Sequence, residues 1–137
     1  MLDAAAVFRA LIAGFDAGDD AAMRAVLADD VIAYVTNADG GVDRVEGRDA
    51  YMERMPDVSG AEYAVTITQV VTVDDTHALG MVEVKAERKG KSLLNHSAFL
   101  VRADAGVARE IWMVEALPAY SDELWSSTDL RSPRRGA

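Results

Sequence analysis

The feature that most constrains this chain is a change in the spacing of its apolar residues near residue 60. Before that point they recur every three or four residues, as on one face of an α-helix; after it they alternate with polar residues, as in half-buried strands. This pattern predicts an α+β domain in which the order is helix, helix, strand, helix and then four strands in a meander. The first helical stripe comprises Ala4, Val7, Phe8, Leu11, Ile12 and Phe15.

Capping residues predict where the helices begin and end. Asp3 can cap the first helix and Gly18 can end it, while Asp19 can cap a shorter second helix. A third helix is expected over residues 47–55, because Pro56 disfavours helical geometry in the residue before it. Turn-forming residues divide the rest of the chain into strands. The expected strands cover about residues 31–36, 63–73, 82–86, 93–102 and 107–117.

Length and charge limit the classes of function. The 137 residues fit one domain, which we place at 1–125, followed by a flexible tail at 126–137. A net charge of −9 disfavours binding to nucleic acid and to anionic membranes. No secretory signal or membrane span is evident, so a cytoplasmic location is expected. With no cysteine, two scattered histidines and no phosphate loop or dinucleotide fingerprint, the sequence predicts neither a metal nor a cofactor.

Short local motifs accompany these elements and lie at residues 15–19, 27–31, 45–50, 106–112 and 122–125. In these motifs and in the order of its elements, the chain resembles the nuclear transport factor 2-like superfamily. That superfamily includes ketosteroid isomerases and SnoaL-like polyketide cyclases, and the likeness covers roughly residues 3–125. It implies three helices packed on a strongly curved, mostly antiparallel sheet that forms a cone with an internal pocket.

The faces of the last two strands decide which side chains enter the pocket. A shift of one residue exchanges the two faces of a strand, and periodicity alone leaves open whether His96 or its neighbours Asn95 and Ser97 point inward. The resemblance chooses between them: counted back from Gly106, the inward acid of the isomerases falls at Ala98. This count places both His96 and Glu115 inside the pocket.

The implied pocket is mostly apolar and suits a hydrophobic small molecule. Arg109 is included as a group that could pair with Glu115 or with an anionic ligand, and Tyr51 as a residue of the helix above the pocket. The expected ligand-binding residues are Leu11, Phe15, Val35, Tyr51, Val82, Val84, Ala98, Arg109, Ile111 and Met113.

The same comparison excludes two reactions of the superfamily. The catalytic groups of the isomerases would fall at Leu11, Val35 and Ala98, whose side chains cannot transfer a proton. The epoxide hydrolases need an arginine and an aspartate where this chain has His96 and Ala98. Two hypotheses remain: a pocket that binds a hydrophobic ligand without catalysis, or a cyclase- or isomerase-type enzyme. The enzyme would remove a proton next to a carbonyl group, with His96 and Glu115 as an acid–base pair.

A homodimer through the outer face of the sheet is also expected. With His96 inward, the outward side chains of the last two strands form an apolar patch that a soluble monomer rarely exposes. The alternative is that the C-terminal segment containing Tyr120, Leu124 and Trp125 folds back over this patch. The residues assigned to the patch are Phe99, Val101, Trp112 and Val114.

Overall fold

The structure, a computed structural model, describes residues 1–56, 58 and 61–126. Its helices are α1 (Ala4–Ala17), α2 (Asp20–Ala25), α3 (Arg48–Arg54) and α4 (Pro118–Ser126). Its strands are β1 (Leu27–Thr36), β2 (Val42–Glu46), β3 (Glu62–Thr72), β4 (His77–Arg88), β5 (Lys91–Asp104) and β6 (Val107–Glu115). The α+β prediction is confirmed. The predicted C-terminal tail lies outside the described residues, except for Ser126, which ends α4.

The helix boundaries follow the capping residues. The Asp3 carboxylate accepts the Ala6 backbone N–H at 2.8 Å, and Gly18 adopts a left-handed φ of 67° that ends α1. Asp19 accepts the Ala22 N–H at 3.0 Å and so begins α2 immediately afterwards. This tight succession folds α2 back toward the start of β1.

The six strands form one open sheet in the order β2-β1-β6-β5-β4-β3. Only the β1–β6 pair is parallel; the four other pairings are antiparallel. Strand β2 was not predicted, because three of its five residues, Asp43, Arg44 and Glu46, are charged and it forms an edge of the sheet. Register shifts in the β3–β4 and β5–β6 pairs mark β-bulges, which bend a sheet and increase its twist.

Helix α1 packs against the inner, concave face of this sheet. The Phe8 ring lies 5.6 Å from the Phe99 ring, and both side chains are buried. Gly80 on β4 makes this contact possible, since a β-carbon there would lie 2.3 Å from the Phe8 ring. No helix among the described residues is long and apolar enough to cross a membrane.

Candidate functional site

A cavity of about 350 Å³ opens between the helices and the inner face of the sheet. Its walls are mainly apolar, with polar groups contributed by β1 and the turn after it, by α3, and by β4, β5, β6 and α4. Seven of the ten predicted ligand-binding residues line it: Leu11, Phe15, Val35, Tyr51, Val82, Val84 and Met113. Glu115, predicted as a catalytic residue, lines it as well.

The prediction that His96 faces this cavity is wrong. His96 is exposed on the outer face, whereas Asn95, Ser97 and Phe99 point inward and are buried. A hairpin that ran straight from its turn at Ala105-Gly106 would pair His96 with Glu115. The bulge between β5 and β6 adds one residue to β6, so Ser97 lies opposite Glu115 instead. His96 and Glu115 therefore lie on opposite faces and cannot act as a pair.

Three other predicted ligand contacts are also corrected. Ala98 lies on the outer face with His96, for the same reason. Arg109 occupies the bulge and extends to Asp30, with 3.5 Å between guanidinium and carboxylate, so it is a surface ion pair. Ile111 points inward, as expected, but is completely buried in the core and does not line the cavity.

Glu115 is the acidic residue among the described cavity walls. Burial raises the pKa of its carboxyl group, and hydrogen bonds from Ser121 and Asn95 and the positive charge of Arg54 offset part of that rise. The Asn95 Nδ2 donates to a Glu115 carboxylate oxygen at 3.0 Å, and the Glu115 backbone N–H donates to the Thr36 hydroxyl at 3.0 Å. Glu115 is thus fixed in place and more readily protonated than an exposed glutamate.

Asn95 joins this carboxyl group to the chain that follows it. Its side-chain oxygen accepts hydrogen bonds from the backbone N–H groups of His96 and Leu117, both at 2.9 Å. Its amide nitrogen donates to Glu115. The Leu117 bond orients the entry into α4, from which Ser121 and Trp125 line the cavity. A single buried amide therefore positions both the acid and one wall.

Two hydroxyl groups in the cavity have no hydrogen-bond partner among the described residues. Tyr51, on α3, is buried, and its burial raises the pKa of its phenol, which stays protonated at neutral pH. Ser97, on β5, is 4% exposed and lies opposite Glu115 in the β5–β6 register. Both can donate a hydrogen bond to a ligand oxygen.

Arg54 ends α3 and brings a positive charge to the cavity wall. Its Nη2 donates to an Asp43 carboxylate oxygen at 3.2 Å, and Asp43 is held in turn by the Asn37 side-chain amide at 3.0 Å. The predictions missed Arg54, Asn95 and Ser97. One signal in the sequence pointed to the last two: Arg102 and Asp104 share the strand parity of His96, and two charged groups on one face mark it as outward.

Comparison with known proteins agrees with this architecture. A model of the SnoaL-like domain family matches residues 8–111, most of the described fold. The chain belongs to the SnoaL-like domain family. It is thereby placed in the nuclear transport factor 2-like superfamily, as the resemblance implied. No curated protein matches the sequence significantly.

Solved structures show the same fold at low sequence identity. Bal32a, from a soil-derived mobile gene cassette, is 20% identical with a TM-score of 0.73, covering 87% of this chain and 93% of its own. An NTF2-like protein of unknown function from Burkholderia pseudomallei is 16% identical with a TM-score of 0.73, covering 92% and 99%. A Mycobacterium tuberculosis LEH-like epoxide hydrolase is 17% identical with a TM-score of 0.67, covering 86% of both chains. At these identities the likeness establishes the fold and leaves the chemistry to the site.

Proposed function

We propose that this SnoaL-like protein binds an apolar small molecule in the cavity and transfers a proton next to a carbonyl group of it, with Glu115 as the acid–base group. The observation that carries the proposal is the position of Glu115: a partly buried carboxyl group, with a raised pKa, in a mostly apolar cavity of small-molecule size. A pKa moved toward neutrality suits a group that must both accept and return a proton.

The proposed step needs only groups that line the cavity. The Glu115 carboxylate takes a proton from the carbon next to the carbonyl, and the electrons of that C–H bond move to the carbonyl oxygen, forming an enolate. The hydroxyls of Tyr51 and Ser97 are available to donate hydrogen bonds to this oxygen. Glu115 then returns the proton to the same carbon, or to the far carbon of a C=C bond where the ligand has one conjugated with the enolate, so no co-reactant is required.

One observation favours the second candidate, binding without catalysis. With His96 on the outer face, the described cavity walls contain no histidine to assist Glu115. The Glu115 carboxyl group would then serve to orient a ligand through a hydrogen bond. The two functions differ in whether the carboxyl group must lose its proton.

The test uses β-tetralone, a bicyclic ketone with acidic C–H groups beside its carbonyl. Binding is followed by fluorescence in a Trp112→Phe background, because Trp125 lines the cavity and is then the sole tryptophan. Proton transfer is followed by NMR as exchange of these hydrogens in D₂O. We expect the protein to accelerate exchange, and Glu115→Gln to reduce this rate by about 100-fold or more while binding is retained.

Glu83→Gln is the matched control, since Glu83 lies opposite the outward His96 and does not line the cavity. It should leave both binding and exchange unchanged. Binding of β-tetralone without accelerated exchange would favour the non-catalytic function. Equal exchange by the parent protein and Glu115→Gln would exclude Glu115 as the base.

A further inference from the structure

The charge inside the cavity is opposite in sign to that of the molecule as a whole. The chain has 23 acidic and 14 basic residues, yet the charged groups among the described cavity walls are Arg54, Arg88 and Glu115. Two arginines against one glutamate give these walls a net positive charge. An anionic ligand would thus be repelled by the surface at long range and attracted within the cavity.

Arg54 has hydrogen-bonding capacity that the described residues do not use. Its side chain is 26% exposed, and its bond to Asp43 is a single contact from Nη2. The Nε group is buried with no acceptor among the described residues. A buried donor without a partner is unfavourable, and a guanidinium carries several N–H groups arranged to bind a carboxylate through two of them.

Asp43 leaves room for a second acceptor on Arg54. It lies on the edge strand β2, is half-exposed, does not line the cavity, and its other oxygen is bound by Asn37. It therefore holds the guanidinium from outside. Arg88 is less available, since its Nη1 donates to the Trp125 backbone carbonyl at 2.9 Å.

We propose that the ligand carries a carboxylate group that binds Arg54, so that the substrate class is an apolar keto acid. This inference rests on the proposed function for the position of the carbonyl group, between Glu115 and the hydroxyls of Tyr51 and Ser97. A carboxylate fits better than a phosphate, because one arginine with one partner already bound supplies a single charge in a mostly apolar cavity. The apolar body of the ligand would lie along the walls formed by α1 and β4.

The test compares two probes of nearly equal shape, β-naphthoate and β-naphthamide, by calorimetry on the full chain at neutral pH and low ionic strength. The parent protein should bind the acid about tenfold more tightly than the amide, as expected for one charge-assisted contact. Arg54→Met should remove this preference by weakening the acid alone, and Arg54→Lys should retain part of it. Arg24→Met is the matched control, because Arg24 pairs with Asp49 on the surface and does not line the cavity.

Equal affinity for acid and amide in the parent protein would overturn the inference. So would an Arg54→Met variant that loses affinity for both probes equally, since that result indicates a structural role at the end of α3. If Arg54→Met does not fold, the ratio of acid affinity to amide affinity in Arg54→Lys decides. A partial loss of the preference supports the contact, and an unchanged preference contradicts a carboxylate bound through two N–H groups of the guanidinium. If the parent protein prefers the acid but does not accelerate β-tetralone exchange, the proposed function is rejected and the carboxylate site is kept. If it accelerates exchange but binds acid and amide equally, the carboxylate site is rejected and the proposed function is kept.

Discussion

At the scale of single residues, the Tyr51 hydroxyl is the donor that can be removed with least change to the cavity. It has no partner among the described residues, and Tyr51→Phe keeps the buried ring. If the hydroxyl stabilises an enolate oxygen, the variant should accelerate β-tetralone exchange roughly 100-fold less, with nearly unchanged binding. Leu11→Ile, which alters the wall without a polar group, should change the rate much less. An undiminished rate in Tyr51→Phe would remove Tyr51 from the mechanism.

Glu115 should also make the stability of the protein depend on pH in a defined direction. Burial raises its folded-state pKa above the ordinary value of 4.5, so the folded chain retains this proton to higher pH than the unfolded chain. As pH rises past 4.5, the unfolded state loses its proton first, and stability from this group falls until pH passes the folded pKa. Each unit of pKa shift corresponds to about 1.4 kcal/mol.

Glu115→Gln should abolish this contribution. The free energy of unfolding of the parent protein, minus that of the variant, should therefore decrease between pH 4 and pH 7, as measured by urea denaturation. Taking the difference cancels the titration of the other acidic groups. A difference that is constant, or that increases with pH, would show that the Glu115 pKa is not raised.

At the scale of elements, the contact between α1 and β4 depends on Gly80. A β-carbon at this position would lie 2.3 Å from the ring of Phe8, which is itself completely buried. Gly80→Ala should destabilise the fold by about 1–3 kcal/mol, because the helix or the ring must move. Thermal or urea unfolding measures the effect, and adding Phe8→Leu should recover part of the lost stability. No recovery in the double variant would mean that the strand backbone, and not the ring, responds to the new methyl group.

The elements also show how far the sequence predicts this site. Helix ends and most strands follow from Asp3, Gly18 and the alternating apolar residues, since caps and periodicity are local properties. The bulge opposite Arg102 is a property of strand pairing, which a local pattern does not reveal. Without it, the predicted register of β5 was wrong by one residue. The prediction therefore placed His96 and Ala98 in the cavity, and Phe99 and Val101 on the outer face. Glu115 was placed correctly because β6 keeps its alternation from Ile111 onward.

The polar groups around Glu115 were harder to predict for a further reason. Arg54 reaches the cavity from the last turn of α3, and Ser121 from α4, a helix that was not expected. Their approach depends on the packing of distant segments, which local patterns do not encode. Apolar walls are more predictable, because most inward positions on these elements are apolar.

At the scale of the whole molecule, the outer face of the sheet carries an apolar strip different from the one predicted. Phe99 and Val101 are buried on the inner face, while Trp112 and Val114 are outward as expected. The strip follows two rows of neighbouring residues across the strands, and Tyr34 stacks on Trp112 with ring centroids 5.8 Å apart. Its members are Tyr34, Trp112, Leu100, Leu79 and Val71 in one row and Val114, Ala98 and Met81 in the next.

The alternative cover, the C-terminal segment, does not reach this outer apolar strip within the described residues. Leu124 is buried with Ala86 and Leu93 on the inner side, and Trp125 lines the cavity. The side chain of Tyr120, also assigned to that cover, lies outside the described part of the structure. The strip thus remains an exposed apolar surface, as is typical of a protein–protein interface. Leu94, at 51% exposed, and Val114, at 56%, lie on this face.

We therefore propose that a second copy of the chain covers the outer apolar strip, pairing the two sheets face to face. Trp112→Glu should convert a dimer into a folded monomer that still binds β-tetralone, because the substitution places a charge in the interface and leaves the cavity intact. Sedimentation velocity at micromolar concentration measures the change. Leu2→Glu is the matched control, since Leu2 is 46% exposed and lies just before α1, which packs on the inner face of the sheet, and this variant should remain dimeric. A monomeric parent protein would refute the dimer, and a parent that dimerises only after removal of residues 127–137 would identify the tail as the cover.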